Sequence, residues 1–154
     1  LSVFTQAVYA LAERNIPVVV HIILGLPGES RETVLRTIDY LNRLPIQGVK
    51  LQLLHVLSDS DLADLYRAGE YTPLEKEEYL TLVGDCIAHL RADIVLHRLT
   101  GDGDKNTLLA PLWSLRKRDV LNHLHRYLRE NHIRQGMSCK IDLSVIYNKP
   151  KDVL

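Results

Sequence analysis

At 154 residues the chain is long enough for one domain with a real core, and its nineteen basic and nineteen acidic residues cancel. That balance excludes a global field that would gather nucleic acid or an anionic membrane, although a local basic patch is compatible with it. No apolar run approaches the roughly 18 residues of a membrane helix, and no signal-peptide pattern precedes residue 10.

In chain order, "VFTQAVYALAER" at 3–14 repeats apolar positions at helical spacing (Val3, Ala7, Val8, Leu11) and stops at Asn15. The chain opens in mid-helix without a Met, which reads as an excised piece of a longer protein. "IPVVVHIILG" is a near-continuous β-branched run, the signature of a parallel strand covered on both faces. An amphipathic helix from Ser30 to about Arg43 follows, with Val34, Leu35, Ile38 and Leu41 on one side. "GVKLQLLHVL" at 48–57 reads as a second buried strand. Ser58 and Asp61 open a short helix through Tyr66, and Gly69 suits its end. Thr72-Pro73-Leu74-Glu75 predicts a helix start capped by Thr72, running to about Leu90. Cys86 falls within that helix's apolar pattern and reads as a buried, inert thiol. It and Cys139 are too few and too far apart for a disulfide framework or a zinc site, so a reducing, cytoplasmic compartment is the expectation.

"DIVLHRLT" at 93–100 gives a third strand, followed by the loop "GDGDKN" and an amphipathic helix over roughly Arg116 to Asn131. Residues 1–136 are expected to form one unit. The tail at 137–154 is either an edge strand ("KIDLSVIY") or loose. Alternating helices and strands imply right-handed βαβ units around a mainly parallel sheet of about three strands. The fold class expected is therefore α/β, a partial (β/α) barrel fragment with outer helices.

Alternation orients the strands. Val18, Val20, Ile22 and Leu24 form one apolar face of the first strand, and Val19, His21, Ile23 and Gly25 the other. On the second strand Val49, Leu51 and Leu53 oppose Lys50, Gln52 and Leu54. The third strand leaves open whether His97 or Arg98 joins the polar side. That side collects His21, Gln52, Lys50 and one of His97 or Arg98, either as a solvated face or as a concave site near the strand ends. Asp102 and Arg98 fall near the same rim as Gly25. No local spacing suits a metal, and "GDGDKN" lacks the Gly-Lys-Ser/Thr ending of a phosphate loop.

Taken in order, "HIILGLPGES", "VKLQLLHVL" and "HRLTGDG…APLWSLRKRDVLN" resemble a bacterial iron–sulfur oxidoreductase branch of the radical S-adenosylmethionine (radical SAM) superfamily. The branch lies near the Elongator-type and coproporphyrinogen oxidase-type enzymes, and the resemblance spans about residues 1–136. It implies the later strands of a partial (β/α)6 barrel. In the parent protein a Cys-x3-Cys-x2-Cys loop holds a [4Fe-4S] cluster, on which S-adenosylmethionine is cleaved to a radical. The family's Gly-x-Ile-x-Gly pattern falls with Ile on Ile23 and its second Gly on Gly25, while its first Gly is His21 here. These residues, with Leu26 and Pro27 at the turn, would support adenine, and His55 and Val56 fall where relatives bond adenine through the backbone. Pro27 to Ser30 mainly turn the chain into the next helix.

No Cys triplet exists in this sequence, so no cluster and no radical catalysis are expected of this chain alone. The partners expected are S-adenosylmethionine, a substrate of unknown identity, and either a second copy or the cluster-bearing half. His21, Gln52, Arg98 and Asp102 are the candidate catalytic residues. Two other classes stay open: a non-catalytic binding or oligomerisation module, and an unrelated α/β enzyme using His21, His97 and Asp102 as acid–base groups. The basic last helix reads as a solvated face rather than an RNA platform, because too few aromatics accompany it.

Overall fold

The computed structural model describes residues 1–101, 103–141 and 146. Asp102 and most of the predicted edge strand at 140–147 lie outside the described residues. Helix α1 (Ser2–Glu13) leads into β1 (Val19–Leu24), α2 (Arg31–Leu41) and β2 (Gly48–Leu53). After β3 (Val56–Leu57) come α3 (Asp61–Arg67), α4 (Lys76–His89) and β4 (Val95–Arg98). The described part closes with β5 (Leu108–Ala110), a 3-10 turn at Leu112–Leu115, and α5 (Lys117–Glu130).

Strands β1, β2 and β4 form one parallel sheet in the order β1-β2-β4, as the alternation of elements requires. Its covered face carries Ile22 and Leu24 of β1 and Val49, Leu51 and Leu53 of β2, all buried. Against them pack Val34, Ile38 and Leu41 of α2 and Tyr79, Val83, Cys86 and Ile87 of α4. Burial pushes the Cys86 thiol up to about 12, so it stays protonated at neutral pH, as an inert core residue should. Helix α5 lies on α4, where Gly84 leaves room for the Tyr127 ring.

Several expectations need correcting. The second strand does not run to Leu57. It leaves the sheet after Leu53, and Val56 and Leu57 pair antiparallel with Ala110 and Leu108, a small second sheet with no signature in the sequence. Helix α4 starts at Lys76, not at Pro73. Glu75 stands at its cap, and the Glu78 carboxylate accepts the Glu75 N–H at 2.9 Å. Residues 71–74 lie outside the helix and carry the contacts with β1's end described below. The stripe expected on α1 buries only Val8; Val3 and Leu11 remain exposed.

Candidate functional site

The site is assembled at the C-terminal ends of the parallel strands. β1 ends at Leu24, and Leu26-Pro27-Gly28-Glu29 closes a turn through Glu29 N–H donating to Leu26 O at 2.9 Å. Pro27 presets the first central position of that turn, and Gly28 supplies the positive φ (+71°) of the second. The Glu29 carboxylate then folds back and accepts the N–H groups of Gly25 and Leu26, at 2.9 and 3.2 Å. Ser30 caps α2 by accepting from Thr33 N–H. A glutamate at the end of Leu-Pro-Gly-Glu is therefore required by the turn itself.

Gly25 is held from the other side as well. Its carbonyl accepts from the Tyr71 hydroxyl at 2.7 Å, and desolvation raises that phenol's pKa, keeping the donor protonated. With φ at +89°, a Cβ here would sit 3.0 Å from Leu74 Cδ1. Leu74 in turn offers its carbonyl to the Trp113 indole N–H at 3.2 Å. The Trp113 ring packs on Tyr79, whose hydroxyl donates to Leu99 O. The bonds of Tyr71 and Leu74 tie this segment to the end of β1 and to Trp113, outside α4.

His55 anchors the second half of the rim. Its Nε2 meets Ser114 Oγ at 3.1 Å, while Ser114 Oγ also donates to Pro111 O. A Cβ on Gly101 would lie 2.8 Å from His55 Cε1, and one on Gly103 would lie 3.4 Å from Nδ1. The glycines of "GDGDKN" thus make room for an imidazole rather than for a phosphate. The three sequence motifs converge here as one connected network, from Glu29 and Gly25 through Tyr71–Leu74 and Trp113–Ser114 to His55.

The open face of the sheet runs down from this rim. Ile23 and Leu26 are each 44% exposed, and with His21, Glu29 and the α1 and α2 residues Phe4 and Tyr40 they line a hollow of about 300 Å³ at the free edge of β1. A second groove of about 220 Å³ lies against the turn, between Leu26, Pro27, Glu70 and Tyr71. In register, Ile23 pairs with Gln52 and His21 with Lys50. The question left open on the third strand is resolved by a bulge. Val49 pairs with Leu96 but Lys50 with Arg98, so one extra residue, His97, is accommodated on β4. The His97 ring lies over Gly48, where a Cβ would come within 2.5 Å of Nε2. Both His97 and Arg98 therefore join the open side.

The remaining sequence candidates separate. Val56 is fully buried beside Ala63, Tyr71 and Ala110, so only its backbone is available at the rim. His21 and His97 sit on the outer strands with β2 between them, so their backbones stand two strand spacings, about 9.5 Å, apart across the sheet. Among the described residues no group of three His, Cys, Asp or Glu side chains converges as a metal site. Glu29, Tyr71, Trp113 and Ser114 were not singled out from the sequence. Only Glu29 had a local signal, the turn it closes.

Comparison with known proteins identifies the family and the fold. The profile described as the Radical_SAM C-terminal domain matches residues 46–130. Bacillus subtilis YtqA is 32% identical over 133 residues, covering 86% of this chain and 41% of that protein. Escherichia coli YhcC is 33% identical over 121 residues, covering 79% and 39%. Methanocaldococcus jannaschii MJ0486 is 32% identical over 137 residues, covering 88% and 42%. The chain thus spans about two fifths of the length of the curated relatives it matches. The solved structure of the archaeal Methanocaldococcus infernus Elp3 with an N-terminal deletion superposes with a TM-score of 0.69 at 16% identity. That match covers 84% of this chain and 31% of that one, and it supports the partial-barrel fold.

Proposed function

The chain belongs to the Radical_SAM C-terminal domain family, and from that premise we propose that it forms the cofactor- and substrate-facing wall of a radical SAM barrel. The observation that carries the reading is the pair of exposed apolar side chains, Ile23 and Leu26, at the C-terminal end of β1 beside a rigidly held turn. Purine rings bind to apolar surface flanked by a few polar groups, and α/β folds present such surface at the ends of parallel strands.

Fit differs between the two groups the family implies. For S-adenosylmethionine, Ile23 and Leu26 would supply the apolar platform, Pro27 its edge, and the His55–Val56 backbone a polar flank. Gly25 would contribute shape rather than hydrogen bonds, since its N–H and C=O are taken by Glu29 and Tyr71. When bound beside an iron–sulfur cluster, this cofactor supplies radical chemistry, while the protein orients it. The donors of this chain do not fit the cluster itself. The Cys86 thiol is buried in the core, and Cys139 Sγ meets the Asn42 amide at the other end of the sheet. Cluster chemistry would therefore be furnished by other parts of the parent protein.

The test is a titration of the isotope-labelled chain with S-adenosylmethionine, followed by amide NMR. Saturable shifts confined to residues 23–27 and 55–56 are expected. Absence of saturable shifts at millimolar cofactor, or shifts centred on α5, would overturn the assignment.

A further inference from the structure

On the helix-covered side of the sheet, a groove runs between α2 and α4. Its cavity is about 440 Å³, within the range of about 300–1,000 Å³ typical of ligand clefts. Its apolar lining is Val34 of α2, which is buried, with Leu74 and Leu82 half-buried beside it. Along α4 the lining runs from Glu77 to Asp85, about 12 Å at a rise of about 1.5 Å per residue. That is the length of about four residues of extended chain.

The polar rim of this groove is one-sided in charge. Glu29, Glu77, Glu78 and Asp85 line it, and the cation among the lining residues, Arg31, is paired with Asp85 at 2.6 Å. Glu29 and Glu78 accept from the backbone N–H groups of Gly25, Leu26 and Glu75, neutral donors that leave the carboxylate charge in place. Neighbouring cations on the two helices are directed elsewhere: Lys76 to Asp119 of α5, and Arg36 to Thr33 within α2. Helix caps and dipoles account for acidic residues at these helix starts, but not for an apolar cleft between them. A rim of this sign repels phosphate, which makes nucleic acid and anionic lipid poor occupants.

We infer that this groove docks a short basic segment of a partner protein, with an apolar side chain seated against Leu74 and Leu82 and lysine or arginine flanking it. Basic side chains suit such a rim because their apolar stems lie along leucine while the charged ends meet Glu77 and Glu78. Charge complementarity of this kind governs specificity and association rate more than affinity, and so small a contact makes a transient complex. The inference does not rest on the cofactor reading, although Gly25, Glu29 and Leu74 are common to the groove and the rim.

Amide NMR of the isotope-labelled whole chain with acetyl-Arg-Leu-Lys-Leu-amide and acetyl-Leu-Lys-Leu-Arg-amide tests this. At least one peptide should give saturable shifts at residues 31–34 and 77–85, and its binding should weaken as sodium chloride is raised. Glu77→Lys should lower that affinity at least about threefold while changing the unliganded Tm little, because the side chain is exposed. Thr81→Lys, one turn further along the same rim, should do the same should the first variant disturb the helix start. Three results would overturn the inference: no saturable shifts with either peptide at millimolar concentration, shifts centred outside the groove, or unchanged affinity in both variants. Equal binding of acetyl-Glu-Leu-Glu-Leu-amide would overturn it too, because charge would then play no part. Equal binding of acetyl-Arg-Ser-Lys-Ser-amide or spermine would do so as well, since the groove would then take cations without an apolar anchor. The S-adenosylmethionine titration is read at residues 23–27 and 55–56, so failure of one reading is distinguishable from failure of the other.

Discussion

The two ends of the parallel sheet are built from similar materials for opposite ends. At the N-terminal end, Arg91 is 2% exposed, and its guanidinium donates to the carbonyls of Asn42, Leu44 and Ile46 while pairing with Asp93. Asn42 takes the Arg91 N–H and gives its own amide to His89 O. Gln135 closes the set through Arg91 O and Ile94 O. At the C-terminal end the polar groups are also matched, Glu29 to two amides and Tyr71 to Gly25 O, yet they leave Ile23 and Leu26 facing outward. One end spends its polar bonds on closing the loops before β2 and β4. The other spends them on holding apolar surface open. In α/β folds this polarity separates stability from ligand binding.

The comparison breaks first at Arg91. Arg91→Ala removes the donor to three carbonyls and empties a side chain's volume from the core. Unpaired buried groups and cavities of this size together cost about 3–5 kcal/mol. For a chain of this length that is a fall in Tm of about 10 °C or more, read by thermal or urea denaturation. A loss below about 1 kcal/mol would mean that the N-terminal end is not the stabilising one. Next in size is Gly25→Ala. A side chain forced to φ +89° costs about 1–2 kcal/mol and presses Leu74. Equilibrium unfolding should show that loss, and because the strain belongs to the turn, a change in cofactor binding in this variant would say nothing about direct contact.

Legibility in the sequence follows the range of the forces involved. The strands were readable as near-continuous apolar runs, but the coverage on both faces expected of β1 holds for one face only, since Val19, His21 and Ile23 are exposed. Alternation within the runs correctly put His21, Lys50 and Gln52 on one face. The third strand was ambiguous because its bulge breaks the alternation between Leu96 and Arg98. The β3–β5 pair joins two and three residues some fifty positions apart, too short for any period to register. Arg91 was unreadable for another reason: its partners are backbone carbonyls, and every residue has one. At the site, the Leu-Pro-Gly-Glu turn was visible as a turn, but the reason for Glu29 was not. Gly101 and Gly103 read as loop punctuation until His55 was found between them.

The smallest expected effect on stability is the sharpest test of the distinction between the two ends. Ile23→Ser replaces a side chain already 44% exposed, so its hydrophobic contribution to folding is slight. Surface changes of this kind lie within about ±0.5 kcal/mol. Its register with Gln52 and its place on β1 stay as they are, because backbone pairing fixes both. The cofactor-dependent shifts at residues 23–27 should nevertheless weaken strongly, since the platform loses its largest apolar face. Stability unchanged with ligand response lost is the signature of a residue kept for binding. A loss of stability above about 1 kcal/mol, with the ligand response intact, would make Ile23 part of the core and erase the contrast with Arg91.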